Sequence, residues 1–323
     1  MIKKILFSNK NLKKGRIITK QDFNYKNSKK ISSLYVSSYS YILKNFILKN
    51  DIKKDTILKK IFLKKPNIAA IIACRLKSER LRKKAVIKVD REDTVIDKCI
   101  KSCKNLKSNN MVILATSKID EDKLLEYSAK KNKVIFYQGH SEDVIKRYLS
   151  AANKFKIDII LRVTGDCPYI SSEISELILK DHINKGADYS EAKEAPIGAS
   201  CQVINTSALK KILLLKKNTP MSEYMKYYFT NNPRYFKINY VSLPSWMKKN
   251  YRMTVDYIED IRFFEKIYGH LFKSKKKLSL QNIFNYLKKN SKVVQINSAK
   301  KLKYKSNKVL IKKLYKETKI FEI

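Results

Sequence analysis

Acidic residues are the scarce class in this chain: 29 Asp and Glu stand against 71 Lys and Arg in 323 residues, leaving a formal charge of +42. Such an excess could serve a nucleic-acid or anionic-membrane partner, because phosphate binding follows basic patches. The lysines, however, run along the whole chain instead of gathering in one arm or helix face, and they accompany abundant Ile, Asn and Tyr, as an AT-rich coding sequence would produce. That spread argues against a nucleic-acid partner. Glycine is equally scarce, at six residues, and no Gly-x4-Gly-Lys-Ser/Thr occurs, which excludes a P-loop. Cysteines are few and odd in number: Cys74, Cys99, Cys103, Cys167 and Cys201. Cys99 and Cys103 lie one helical turn apart, which is not a metal-knuckle spacing and has no matching pair elsewhere, so reduced thiols are expected. No stretch approaches the ~20 apolar residues of a membrane span, and the N-terminal MIKKILFSNK lacks the apolar core of a signal peptide. The expectation is a cytoplasmic protein without a membrane span.

What is present divides the chain. Apolar content of 44% is ordinary, and the length suits one large domain with a smaller one. Over residues 1–65, short apolar runs alternate with turn-like polar stretches such as Lys13-Lys14-Gly15 and Lys53-Lys54-Asp55, suggesting a small β-rich unit. Pro66 and Asn67 mark a boundary. Beyond it strands expected at 68–74, 111–115, 134–136 and 159–163 alternate with helices expected at 94–103, 121–130 and 142–155, the pattern of a doubly wound sheet. For the last helix Ser141 is the expected N-cap, with Glu142 and Asp143 in its first turn. After residue 275 the chain becomes rich in lysine; Ile283, Phe284 and Leu287 recur at helical spacing, and residues 300–319 read either as elements packed on the core or as a basic arm.

Two stretches carry candidate chemistry. In residues 158–168, DIILRVTGDCP, an apolar strand empties into a Gly-Asp turn, delivering Asp166 to the carboxyl end of a strand. That edge is where open α/β sheets bind ligands, and a hard carboxylate there can hold Mg²⁺ with a nucleotide triphosphate; the alternative is an Asp that merely bonds its own turn. The loop after the first strand, residues 75–84, is dense in Arg and Lys and suits phosphates, although a basic face in so basic a chain is also simply solvated.

Set in order, the blocks Ile71-Ile-Ala-Cys-Arg75-Leu-Lys-Ser78-Glu-Arg80-Leu81 through Lys84, Ala115-Thr116-Ser117, Gly139-His-Ser-Glu-Asp143-Val144 with Arg147-Tyr148, Arg162-Val-Thr-Gly165-Asp166-Cys-Pro168, and Thr254-Val255-Asp256 with Glu259-Asp260 resemble the SpsF-like cytidylyltransferases, relatives of the CMP-Kdo and CMP-sialic acid synthetases. The likeness covers residues 67–270. Within residues 1–65, Asn11-Leu-Lys-Lys-Gly15-Arg-Ile-Ile-Thr19-Lys-Gln-Asp22-Phe23 and Asp51-Ile-Lys-Lys-Asp55-Thr56-Ile-Leu resemble the SAF (antifreeze-like) domain that closes sialic acid synthases.

The resemblance implies a Rossmann-like, doubly wound mixed sheet of the nucleotide-diphospho-sugar transferase type at residues 66–275, an SAF-like β-clip at 1–65 and a basic extension at 276–323. It implies that Arg75, Ser78, Arg80 and Lys84 hold the triphosphate, that Ala115, Thr116 and Ser117 help line the nucleotide pocket, and that Asp166 and Asp256 are paired Mg²⁺ ligands. Asp143 and Arg147 are either acceptor contacts or a helix cap and an ion pair. Gln202 and Glu223 fall in acceptor-side blocks. Four positions depart from the family: Arg82-Lys83 stands where Pro-Gly is frequent, Gln202 where Glu is common, and Tyr224 where His is usual.

The resulting expectation is a Mg²⁺-dependent cytidylyltransferase, with Arg75, Lys84 and Asp166 catalytic. Its partners are CTP and a sugar or a sugar acid of the nonulosonic type, its product a CMP-sugar for cell-surface polysaccharide. Another base or a phosphonate acceptor, a non-catalytic sugar-nucleotide-binding module and a nucleic-acid-binding protein remain alternatives, and a homodimer is left open.

Overall fold

The computed structural model describes residues 3–29, 32–42, 45–78, 80–300, 302 and 306–321. The small N-terminal unit holds β1 (Lys3–Ser8), β2 (Phe23–Ser28), the single helical turn α1 (Tyr39–Ile42), β3 (Ile47–Leu48) and β4 (Leu63–Lys64). β1 and β2 form an antiparallel ribbon, as do β3 and β4. The two similar sequence stretches come together about a local two-fold: Leu12 and Ile52 exchange both backbone hydrogen bonds at 2.9 Å. Around them, Lys14 N donates to Asp51 Oδ1 and Lys54 N to Asn11 Oδ1, both at 2.8 Å. The matching turn positions, Gly15 and Asp55, share positive φ values of 79° and 62°. Leu6, Leu12, Ile18, Phe23, Leu48 and Leu58 close a separate core under these ribbons.

Residues beyond 66 build a seven-stranded sheet from β5 (Ile68–Ala73), β6 (Met111–Ser117), β7 (Ile135–Gly139), β8 (Ile159–Thr164), β9 (Tyr189–Glu191), β10 (Gln202–Asn205) and β11 (Ile238–Tyr240), in the order β11-β9-β10-β8-β5-β6-β7. Only β10 runs against its neighbours β8 and β9. β5 explains why its sequence is an unbroken apolar run: Ala70 and Ile72 enter the core on one face, Ala69 and Ile71 on the other, and all four are fully buried. β6 and β7 are laid down on one side of β5 and β8 on the other, so the order reverses between β5 and β8.

Helices α2 (Val95–Lys104), α3 (Leu125–Lys131), α4 (Val144–Lys154), α5 (Ser172–Lys185), α6 (Thr206–Leu215) and α7 (Lys226–Thr230) cover the sheet. The expected 121–130 helix divides into a 3₁₀ stretch over Asp120–Leu124 and α3. In α4 the cap is Asp143, not Ser141: its carboxylate accepts from Lys146 N at 3.0 Å, and His140 Nδ1 accepts from Asp143 N at 2.9 Å one step earlier. Three polar residues in a row left the cap ambiguous by pattern alone, and the histidine decides it.

The lysine-rich end is helical. α8 (Ile258–Lys273), α9 (Leu280–Lys289) and α10 (Ser291–Ser298) follow one another, and Leu280, Ile283, Phe284 and Leu287 belong to the main core. α11 (Lys308–Thr318) carries Thr318, whose carbonyl accepts from Asn232 Nδ2 at 2.9 Å just beyond α7. Among the described residues no helix is long and apolar enough to cross a membrane.

Candidate active site

The switch point between β5 and β8 is where a ligand crevice is expected in such a sheet, and the Gly-Asp turn after β8 sits there. Gly165 N donates to Ala73 O at 2.9 Å, tying the two strand ends together. A Cβ at Gly165 would lie 2.7 Å from both Cβ and Sγ of Cys74, so the residue must be glycine for the ends to meet this closely. The next peptide anchors a distant segment: Asp166 O accepts from Val255 N at 2.8 Å and from Thr254 Oγ1 at 3.3 Å. Two carboxylates far apart in the chain thereby face each other.

Lys84 fills the space between them. Its Nζ donates to Asp166 Oδ2 at 2.7 Å, Asp256 Oδ1 at 2.8 Å and Val255 O at 2.7 Å. Arg80 Nη2 also meets Asp256 Oδ1 at 2.5 Å. On the far side Arg252 Nη2 donates to Asp256 Oδ2 at 2.7 Å, and its Nε to Asp260 Oδ1 at 2.9 Å. Asp260 Oδ2 accepts from the backbone N of Asp256 and of Tyr257, at 2.8 and 3.0 Å, and Asn297 of α10 donates to Asp260 Oδ1 at 2.9 Å. Carboxylates and cations therefore alternate, which is what allows so many charges to be buried together.

Burial on its own would raise the Asp166 carboxyl, but the Lys84 ammonium outweighs it and holds the group down at about 2. Burial would likewise lower Lys84, and the two aspartates reverse that, so its ammonium is firmly charged. The neighbouring thiols are the opposite case. Burial pushes both Cys74 and Cys167 up to about 12, so neither is a thiolate nucleophile. All five cysteines are free and buried.

Above this cluster opens a cleft of about 900 Å³. Arg75, Ser78, Arg80, Lys84, Asp166 and Asp256 line its phosphate-suited half, and Gln202 and Glu223 line the other. Arg75 is held by Ser141 O at 3.3 Å and Glu142 at 3.6 Å. Ala115, Thr116 and Ser117 are fully buried at the end of β6 and are not part of the cleft lining. Ser117 Oγ donates to Asp122 Oδ2 at 2.5 Å while Asp122 Oδ1 accepts from Leu76 N at 2.7 Å, so this strand end steadies the basic loop from below. Asp143 caps α4 and accepts from Thr219 Oγ1. Arg147 is buried and pairs with no carboxylate among the described residues; its Nε and Nη2 donate to the carbonyls of His140 and Ser141 at 2.9 and 2.7 Å. Lys83 adopts φ +51°, the left-handed conformation that glycine takes most easily, and this is one of the two positions where the chain departs from the family's Pro-Gly.

Residues without a sequence-level role also shape the site. Arg252, Asp260 and Asn297 position Asp256, and Arg162 projects from β8 into the cleft. Arg252 and Asp256 lie in the non-helical chain before α8, so no helical spacing marks their pairing, and nothing local marks Asn297.

The cytidylyltransferase family model matches residues 69–313. The chain belongs to the cytidylyltransferase family. The match extends well past residue 270, where the likeness read from the sequence ended. The chain is similar to the spore coat polysaccharide biosynthesis protein SpsF of Bacillus subtilis, 26% identical over 207 residues that span 62% of this chain and 86% of SpsF. An uncharacterized protein of Methanocaldococcus jannaschii is 27% identical over 232 residues, 72% of this chain and 94% of the relative. Among solved structures, a cytidylyltransferase from Leptospira borgpetersenii serovar Hardjo-bovis superposes with a TM-score of 0.66 at 27% identity, covering 73% of this chain and 99% of its own.

Proposed function

We propose that this cytidylyltransferase joins CTP to a hydroxyl of a sugar or sugar acid, forming a CMP-sugar and releasing pyrophosphate. The observation that carries the reading is the pair Asp166 and Asp256 converging on Lys84, at a topological switch point and beneath a basic loop. Nucleotidyl transfer requires little covalent help from the protein, and positioning and neutralisation of phosphate charge do most of the work. Arg75, Arg80 and Lys84 supply cations where the triphosphate would lie. Ser78 adds a hydroxyl to the same wall of the cleft.

Asp166 and Asp256 offer two hard oxygen donors, and among the described residues no third His, Cys, Asp or Glu joins them. This suits Mg²⁺, which is commonly held by one or two carboxylates together with substrate phosphates. Bound there, Mg²⁺ would neutralise charge on the α-phosphate and on the departing pyrophosphate. The Lys84 ammonium bonds both carboxylates and holds the Asp166 carboxyl ionised. Arg252 and Asp260 hold Asp256 in place from behind.

The SpsF name connects a relative to surface polysaccharide, which supports a cell-surface glycan precursor as the acceptor. The two-fold clip at the N-terminus supports the SAF resemblance, and with it a nonulosonic acid. The test is pyrophosphate release by the purified full chain with Mg²⁺, screening CTP against ATP, GTP and UTP over nonulosonic acids, Kdo and sugar phosphates. CTP-selective release with one acceptor supports the reading. Release that is independent of Mg²⁺, or selective for another nucleotide, overturns it.

A further inference from the structure

Resting on the cytidyl-transfer reading, we propose that Arg162 selects an acceptor bearing a carboxylate, and that the neutrality of Gln202 is what leaves its guanidinium charge available. Arg162 lies on β8 directly opposite Gln202 on the antiparallel β10. Its Nη1 donates to Gln202 Oε1 at 2.8 Å and its Nη2 to Glu223 O at 3.1 Å. Both partners are neutral. Its Nε is shut off from solvent and has no partner, and among the described residues no carboxylate pairs with it. The amide orientation is fixed as well, because Gln202 Nε2 donates to Glu191 Oε2 at 3.4 Å and so turns its oxygen toward Arg162.

Arg162 differs in this from the cations of the phosphate-suited half of the cleft. Arg75, Arg80 and Lys84 each already meet a carboxylate, whereas Arg162 is a half-buried cation held only by dipoles. A cation in that condition is poorly compensated until an anion arrives. The planar guanidinium stands 5.9 Å from the centre of the Tyr148 ring, which is itself buried and anchored by its hydroxyl on Val163 O at 2.7 Å. The group is therefore held in one orientation, with donors to spare for the two oxygens of a carboxylate. Arg162 and Thr164 share the cleft face of β8, roughly 7 Å apart along the strand, and Asp166 follows at the turn. A sugar whose reacting hydroxyl approaches Asp166 thus has its acidic substituent within reach of Arg162.

The experiment measures KM by pyrophosphate release at saturating CTP, with N-acetylneuraminic acid, another nonulosonic acid and Kdo as probes, each beside its C1 amide. It compares the wild type with Gln202→Glu, which sets a carboxylate against Arg162, and with Arg162→Met. For the acid that serves as acceptor, both substitutions are expected to raise KM by roughly tenfold to a hundredfold, the range for loss of a charge-assisted hydrogen bond. KM for the amide and for CTP should stay within about twofold. Equal losses for acid and amide would reduce Arg162 to a scaffold residue and overturn the inference, as would no change for either. Turnover confined to neutral or phosphorylated sugars also overturns it while leaving nucleotidyl transfer intact. Thermal stabilisation by CTP, measured alongside, separates the two failures: if CTP does not stabilise the protein, the underlying reading falls and this inference with it.

Discussion

Replacing Lys84 with Met would leave Asp166 and Asp256 facing each other without the ammonium that now joins them. The cost can be worked from Asp166, whose carboxyl is held at about 2 against an ordinary 3.8. That gap corresponds to roughly 2.5 kcal/mol of stability at neutral pH. The Asp166 side chain keeps 26% of its exposure, and water there screens the pair, so a coupling of roughly 1–2 kcal/mol is expected. A double-mutant cycle with Lys84→Met, Asp166→Asn and the double variant isolates this term from the Lys84 bond to Val255 O, which is lost in both Lys84 variants. The sign with pH follows from the depressed carboxyl. The contribution is complete above pH 4, falls as the unfolded chain takes up its proton near 3.8, and is lost as pH drops through about 2. Urea unfolding at pH 7 and pH 3 is the assay, and the coupling should shrink by about half at the lower pH. A coupling below about 0.3 kcal/mol at pH 7, or one that grows on acidification, would refute the reasoning.

Gly198 has φ +84°, and a Cβ there would lie 2.5 Å from Met253 O; Gly198→Ala is expected to cost roughly 2–4 kcal/mol in urea unfolding, and a loss under 0.5 kcal/mol would contradict the packing. Burial holds the His182 imidazole down at about 4, with Ser190 and Asn205 as its hydrogen-bond partners. The unfolded chain therefore takes up that proton first, and stability should fall by up to about 3 kcal/mol as pH drops from 6.5 to 4; His182→Gln should flatten that slope, and an unchanged slope would assign it elsewhere. Arg252→Met strands the fully buried Asp260 and should cost roughly 3 kcal/mol or more, with Asp260→Asn in the same background restoring part of the loss in thermal unfolding.

The strands at the switch point were legible because a strand buried on both faces reads as an apolar run; β5 is unbroken and ends in a charged loop, and β8 is apolar apart from Arg162 up to its Gly-Asp turn. β9 and β11, of three residues each, are too short to show any period. The C-terminal helices were obscured by lysines, whose long stems can lie over apolar surface while the charge stays wet. At the site, the sequence pointed to the basic loop and the paired aspartates. It could not show that Lys84 bonds both, because that depends on the Val255 to Asp166 backbone contact across the fold. Arg162 was hidden inside a strand that otherwise reads as core, and Asn297 acts through a tertiary contact with no local pattern.

Asp166 and Asp256 are proposed to serve nucleotidyl transfer from CTP. That role is tested most directly by Mg²⁺-dependent pyrophosphate release from CTP and the acceptor identified by screening, comparing wild type with Asp166→Asn. The variant keeps the side-chain shape and removes the charge. A loss of roughly a hundredfold or more in kcat is expected, with the variant still folded by circular dichroism. Full Mg²⁺-dependent release by folded Asp166→Asn would contradict it.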